Sequence, residues 1–183
     1  MSCKLSWSST CPLSLILVLS ALGFLVSAGV HLLTFAGLCP HHDSTLSRTL
    51  HLGVAGVFIL FAVISRTKRS KTAFAPAPSE WNLRSPIAIA FGLFVLYVVF
   101  NFFYNQFVQL EIGVPTICDG QEALVLHGKV VKDVSMSAYH LSELHWVRSM
   151  SGHWMLFYGV FFSTVRWILR QMIDRKEKDE PSR

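Results

Sequence analysis

The chain has 183 residues, 52% of them hydrophobic and 15% charged, with a formal net charge of +5 and a mean hydropathy of +0.46. Soluble domains carry roughly a quarter charged residues, and here the apolar excess is gathered into long blocks, the pattern of membrane spans. The positive charge does not point to nucleic acid, because no basic run outside the blocks is interleaved with stacking aromatics, and no nucleic-acid partner is expected.

Residues 1–11 form a short polar lead with one cation, Lys4, and two cysteines, Cys3 and Cys11. The first apolar block, residues 12–38, is free of charge and has His31 as its one ionisable residue. A helix needs about 20 apolar residues to cross the hydrocarbon layer, and this block exceeds that. Leu5–Ala28 also has the layout of a secretory signal, with Val26, Ser27 and Ala28 as a small-residue cleavage site. The apolar run continues to Leu38, further than a signal core requires, so an uncleaved span is expected. Leu38 is too bulky to precede a lipid-bearing cysteine at Cys39.

Residues 39–49 form a short loop in which Asp43 balances Arg48. The second block, residues 50–65, is shorter but uninterrupted, and His51 lies at its start. Residues 66–85 follow with Arg66, Lys68, Arg69, Lys71 and Arg84 against Glu80. The Ala-Pro pairs at Pro76 and Pro78 favour an extended backbone there. These cations either hold anionic headgroups or only fix the side on which the loop stays, and the second reading is preferred. The third block, residues 86–108, is apolar until its last third, where Asn101 and Asn105 lie one turn apart.

Residues 109–151 are too many for a bare connection. Two β-prone runs flank His127-Gly128, a pair that accepts the positive φ angles of a two-residue hairpin turn. Two strands alone are marginal in water, so the hairpin has to lie on something. Ser135 and Ser137 offer N-caps for a short helix through Met150, which Ser149, Ser151 and Gly152 should interrupt before the fourth block, residues 152–169. Trp146 and Trp154 suit an aromatic belt at headgroup level, Arg166 and Trp167 suit the opposite face, and residues 170–183 make a charged tail. The expected fold is an all-α integral membrane protein of four transmembrane helices, with a small β-hairpin and short-helix cap between the third and fourth.

Lys and Arg near span ends are retained in the cytoplasm. The 66–85 loop is net +4, the tail from Arg166 is +2 and the 109–151 segment is −2. Both termini and the basic loop are therefore expected inside a cell (cytoplasmic) membrane, with residues 39–49 and the cap outside. Cys39 and Cys118 would then both face an oxidising compartment, where a disulfide between them or two separate thiols are the alternatives.

His140 and His145 are five residues apart, about 140° around a helix, and cannot share one metal. No HExxH occurs, and His41-His42-Asp43 is adjacent rather than helically spaced. A constellation survives across helices: His31, His51 and His153, with Asn101 and Asn105, fall at one level of the expected bundle. Polar groups at membrane depth usually face the interior. Asn101 and Asn105 read as polar bundle contacts that pair helices by hydrogen bonds. The three histidines are the candidate cofactor-binding set, for haem, zinc or copper, or a quinone or proton relay. Interhelical hydrogen bonding without a cofactor is the preferred reading.

No glycine-rich phosphate loop, Ser-His-Asp arrangement or paired carboxylates occurs in the spans, so no catalytic residue is assigned. Three functions follow. The first is a non-catalytic membrane component that binds a partner subunit or lipid through its outer cap. The second is a haem- or metal-binding electron-transfer subunit. The third is a channel or carrier made by homo-oligomerisation, since four helices enclose little volume. The first requires no unproven ligand.

Overall fold

The computed structural model describes residues 11–38, 44–67, 86–105, 107, 113–118 and 120–179. Among them the chain is mostly helical, with four helices and one small three-stranded sheet. Helix α1 spans Cys11–Phe35, α2 Thr45–Thr67, α3 Pro86–Tyr104 and α4 Met136–Asp179; strands β1 Val114–Cys118, β2 Gln121–Leu126 and β3 Lys129–Asp133 lie between α3 and α4.

The ends of α1 and α2 are set by local chemistry. Leu38 N–H donates to Leu33 O and Gly37 N–H to Thr34 O, with Gly37 at φ 74°. This is the paired arrangement that closes a helix on a left-handed residue. Helix α2 is capped by Ser44, whose Oγ accepts from Ser47 N–H at 3.3 Å. The helix therefore starts five residues before the apolar block at Leu50, and His51 lies well inside it rather than at its end.

The larger departure is α4. The expected short helix ending near Met150 and separate span from Gly152 are one uninterrupted helix of 44 residues, about 66 Å long at 1.5 Å per residue. Ser149, Ser151 and Gly152 do not break it. All three are buried, and Ser151 Oγ donates to the Arg148 carbonyl at 3.1 Å, which satisfies the hydroxyl within the helix. Small residues here also let a neighbour come close: a Cβ on Gly152 would lie 2.8 Å from Asn101 Nδ2. Ser135 caps α4, its Oγ accepting from Ala138 N–H at 3.4 Å.

The sheet has the order β1-β2-β3, antiparallel throughout. The turn at His127 (φ 50°) and Gly128 (φ 77°) is the expected one, with both central residues in the left-handed region that matches the twist of the strands. Strand β1 was not expected; it holds Pro115, which a central strand would not accept but an edge strand tolerates despite the missing N–H. Three strands rather than two, with Pro115, Ala123 and Leu124 buried and β1 and β2 resting on α4, relieve the marginal stability of a lone hairpin.

Helix α4 is the centre of the assembly, and α1, α2 and α3 each pack on it. The apolar core joins Leu13, Ile16 and Val30 of α1, Leu50 and Val57 of α2, and Trp154, Tyr158, Phe161, Val165 and Ile168 of α4. Outward, the helices present Leu22, Leu25 and Leu32, Leu52, Phe58 and Ile59, and Leu93, Leu96 and Phe100, all exposed. Two of the helices, over Pro12–Phe35 and Thr45–Ile64, are long and apolar enough to cross a membrane, and Ala88–Tyr104 is apolar but shorter.

Candidate functional site

At the end of the bundle nearest the sheet, α1, α3 and α4 are joined by a connected set of hydrogen bonds. His31 is buried, with Nδ1 2.8 Å from Ser151 Oγ and Nε2 against the Tyr97 hydroxyl. Ser151 donates its own proton to the Arg148 carbonyl, so His31 Nδ1–H must be the donor to Ser151 Oγ. Its Nε2 then accepts from Tyr97 O–H. The direction of the whole row, Tyr97 to His31 to Ser151 to the Arg148 carbonyl, follows from the fact that a carbonyl can only accept.

Arg148 ties the same helices from its other end. Its Nε donates to Thr34 Oγ1 at 3.1 Å and an Nη2 proton to Thr34 O at 2.8 Å, so the guanidinium closes the carbonyl end of α1, where a cation is favoured. Its charge also lies 4.4 Å from the centre of the Phe35 ring, within cation–π range. The Arg148 carbonyl takes a second bond, from Asn101 Nδ2 at 3.1 Å. Asn105 Nδ2 donates to Asn101 O and Oδ1 at 2.7 and 2.9 Å, and Asn105 Oδ1 accepts from His145 Nδ1–H at 2.9 Å. Burial, and then the charge of Arg148, push the His145 imidazole below its ordinary value of 6.5.

The candidate residues are distributed unevenly over this network. His31, Asn101 and Asn105 are buried in it, although His31 meets the asparagines through the Arg148 carbonyl and not directly. His51 and His153 are elsewhere. His51 is exposed on α2, donates to Ser47 O at 3.3 Å and lies edge-on to Trp154. His153 donates to Ser149 O at 2.9 Å and packs edge-on against Phe102, 4.4 Å between ring centres. Among the described residues no group of three His, Cys, Asp or Glu side chains is placed to hold a metal ion. His140, on the same helix as His145, faces Glu143 at 3.8 Å instead. Cys118 is a free thiol at the end of β1, while Cys39, His41, His42 and Asp43 lie outside the described residues.

Tyr97, Thr34, Arg148 and Ser151 were not singled out by the sequence. A signal was present: His145 and Arg148, and Arg148 and Ser151, are each three residues apart and so neighbours on a helix surface, a relation readable only if the helix continues past Ser149. Chemically the cluster is a clamp. Its one serine is committed to a backbone carbonyl and both ring nitrogens of His31 are occupied, so no nucleophile and base are aimed at an open position. Comparison with protein-family models, with curated proteins and with solved structures gave no match.

Proposed function

We propose that this chain is a four-span integral membrane protein of non-catalytic role, whose three-stranded cap, held rigidly on α4, docks a partner subunit or lipid. The observation that carries the membrane reading is an inverted distribution of polarity. Ser20, Ser27, His31, Thr34, Asn101, Asn105, Ser149 and Ser151 are buried, while leucine, valine, isoleucine and phenylalanine cover the outside of α1, α2 and α3. Contiguous exposed apolar surface on this scale is unfavourable in water and is what hydrocarbon solvates, and buried hydroxyls, amides and imidazoles are what hold helices together there.

Helix α4 supplies a length check. From Arg148 to Arg170 it rises about 33 Å, close to the hydrocarbon thickness of about 30 Å, so one arginine stands at each surface. The turns from Met136 to Val147, about 18 Å, then project from the outer surface and carry the sheet. The charge pattern of the sequence supports an outer position for that end, with the 66–85 loop and both termini in the cytoplasm. The Arg148–Thr34 and His145–Asn105 bonds fasten the projecting part to the spans, a rigid mounting that suits a docking platform.

Two measurements test this reading. Single cysteines placed at Ser70 and Asp119 in a chain otherwise freed of reactive thiols should label from outside intact cells only at Asp119. Labelling at Ser70, or release of the protein from membranes by alkaline carbonate, would overturn the topology. A photo-crosslinker at Val130, exposed on β3, should give a discrete adduct in native membranes, whereas one at Leu93 on α3 should give only diffuse lipid adducts. Identical products at the two positions would remove the cap's docking role.

A further inference from the structure

Arg148 is permanently charged, and the described groups it contacts are neutral. Thr34, Phe35, Ser151 and Asn101 contact it or its backbone, and His31 and His145 stand beside it in the same network. Among the described residues no carboxylate pairs with it; Glu143, on its own helix, faces His140. The carbonyl end of α1 offsets at most about half a charge. At a membrane surface a guanidinium reaches headgroups and water, and one of its terminal nitrogens is not committed to any described partner.

Helices α1 and α3 both rest on α4, and they meet one another through side chains, His31 against Tyr97 and Phe24 against Phe94. The seam between them has α4 as its floor. Arg148 sits in that floor at the cap end, flanked by Phe35 of α1 and near Tyr97 of α3, both of which are exposed. We propose that the phosphate of a phospholipid binds Arg148 at the mouth of the α1–α3 seam, its acyl chains lying along Phe35 and the outer face of α3. The proposal rests on the membrane reading above and deepens it, because it makes the lipid a specific ligand of the bundle. A guanidinium edge meets two phosphate oxygens at once, which an ammonium cannot do.

The test uses the full chain, purified in detergent and then reconstituted. Quenching of tryptophan fluorescence by brominated phosphatidylglycerol, titrated into phosphate-free digalactosyl diacylglycerol vesicles, reads the affinity. Arg148→Gln should weaken it about tenfold, the loss of one charge-assisted pair, and Arg148→Lys about threefold, since charge remains but the fork is gone. Lys129→Gln, which removes the same charge from exposed β3, should change nothing. Circular dichroism checks that each variant is folded; if Arg148→Gln is not, Arg148→Lys decides. Wild-type affinity in the folded Arg148 variants, or an equal loss in Lys129→Gln, overturns the proposal. Competition by inorganic phosphate at millimolar concentration would make the ligand a soluble anion and overturn the lipid assignment. A protein that stays in aqueous buffer and joins no vesicle fails the membrane reading itself, which is a separate result.

Discussion

Tyr158 of α4 donates its hydroxyl to the carbonyl of Leu50 on α2 at 3.0 Å. To reach it, the phenol passes over Gly53 of α2 and lays its ring on Gly23 of α1, and a Cβ at either glycine would collide with it. One side chain thus sets the approach of three helices, and two glycines are there to admit it. Gly53→Ala should therefore destabilise the protein by about 1–3 kcal/mol through overpacking, and Tyr158→Phe by about 1 kcal/mol through the lost bond. The two changes should not add, because removing the hydroxyl oxygen makes room for the Gly53 methyl. Gly23→Ala meets the ring itself and should not be rescued. Denaturation in detergent measures all four variants, and strict additivity of the first two would remove the contact.

His145 predicts how stability depends on pH. Its folded-state value is depressed by burial and by Arg148, so the unfolded chain binds a proton more readily than the folded one. The contribution of His145 is fully present above about pH 6.5, the unfolded value, and is lost as pH falls from there through the folded value. The groups facing it are Arg148 and Asn105, and a proton on the ring would meet a fixed positive charge. Melting temperature should decline below neutrality, and His145→Gln, neutral throughout, should flatten that decline. An unchanged slope in the variant would assign the effect to other groups.

His31→Leu strips Tyr97 of its acceptor and Ser151 of its donor at once. With the Arg148 carbonyl still bonded to Asn101, the cost should be about 1 kcal/mol, the scale of interhelical hydrogen bonds in membranes. Thermal stability in detergent gives the number. The visible spectrum separates the other assignment, since a Soret band that vanished in this variant would make His31 a haem ligand and not a clamp.

Gly128→Val should unsettle the cap and leave the bundle alone. Gly128 sits at φ 77°, a region that costs an L-residue about 1–2 kcal/mol and a β-branched one more. The β2–β3 turn should become protease-sensitive while detergent-phase melting of the helices changes little. Joint loss of both would show that the sheet is needed for the spans to pack.

What the sequence disclosed divides along a physical line. The apolar blocks, the burial of His31 and the turn at His127-Gly128 depend on local composition, and they were legible. Strand β1 was hidden because Pro115 removes a donor, which matters only if the strand is central. Ser149, Ser151 and Gly152 misled in the same way. Each is a poor helix former in isolation, yet all three are buried, with Gly152 close against Asn101 and Ser151 bonded to His31. Arg148 was then counted as a loop charge, and its bonds to Thr34, over a hundred residues away, have no local signature at all.

The centrality of α4 also dictates an order of events in biosynthesis. The chain leaves the ribosome from its N-terminus at roughly 5–20 residues per second, so α1, α2 and α3 emerge before any of α4. Until Arg148 and Ser151 follow, Thr34 and Asn101 lack the partners they have in the finished bundle, and Asn105 waits for His145. A nascent chain that has made only α1, α2 and α3 therefore carries polar groups whose partners are still to come, for the seconds that α4 takes to emerge.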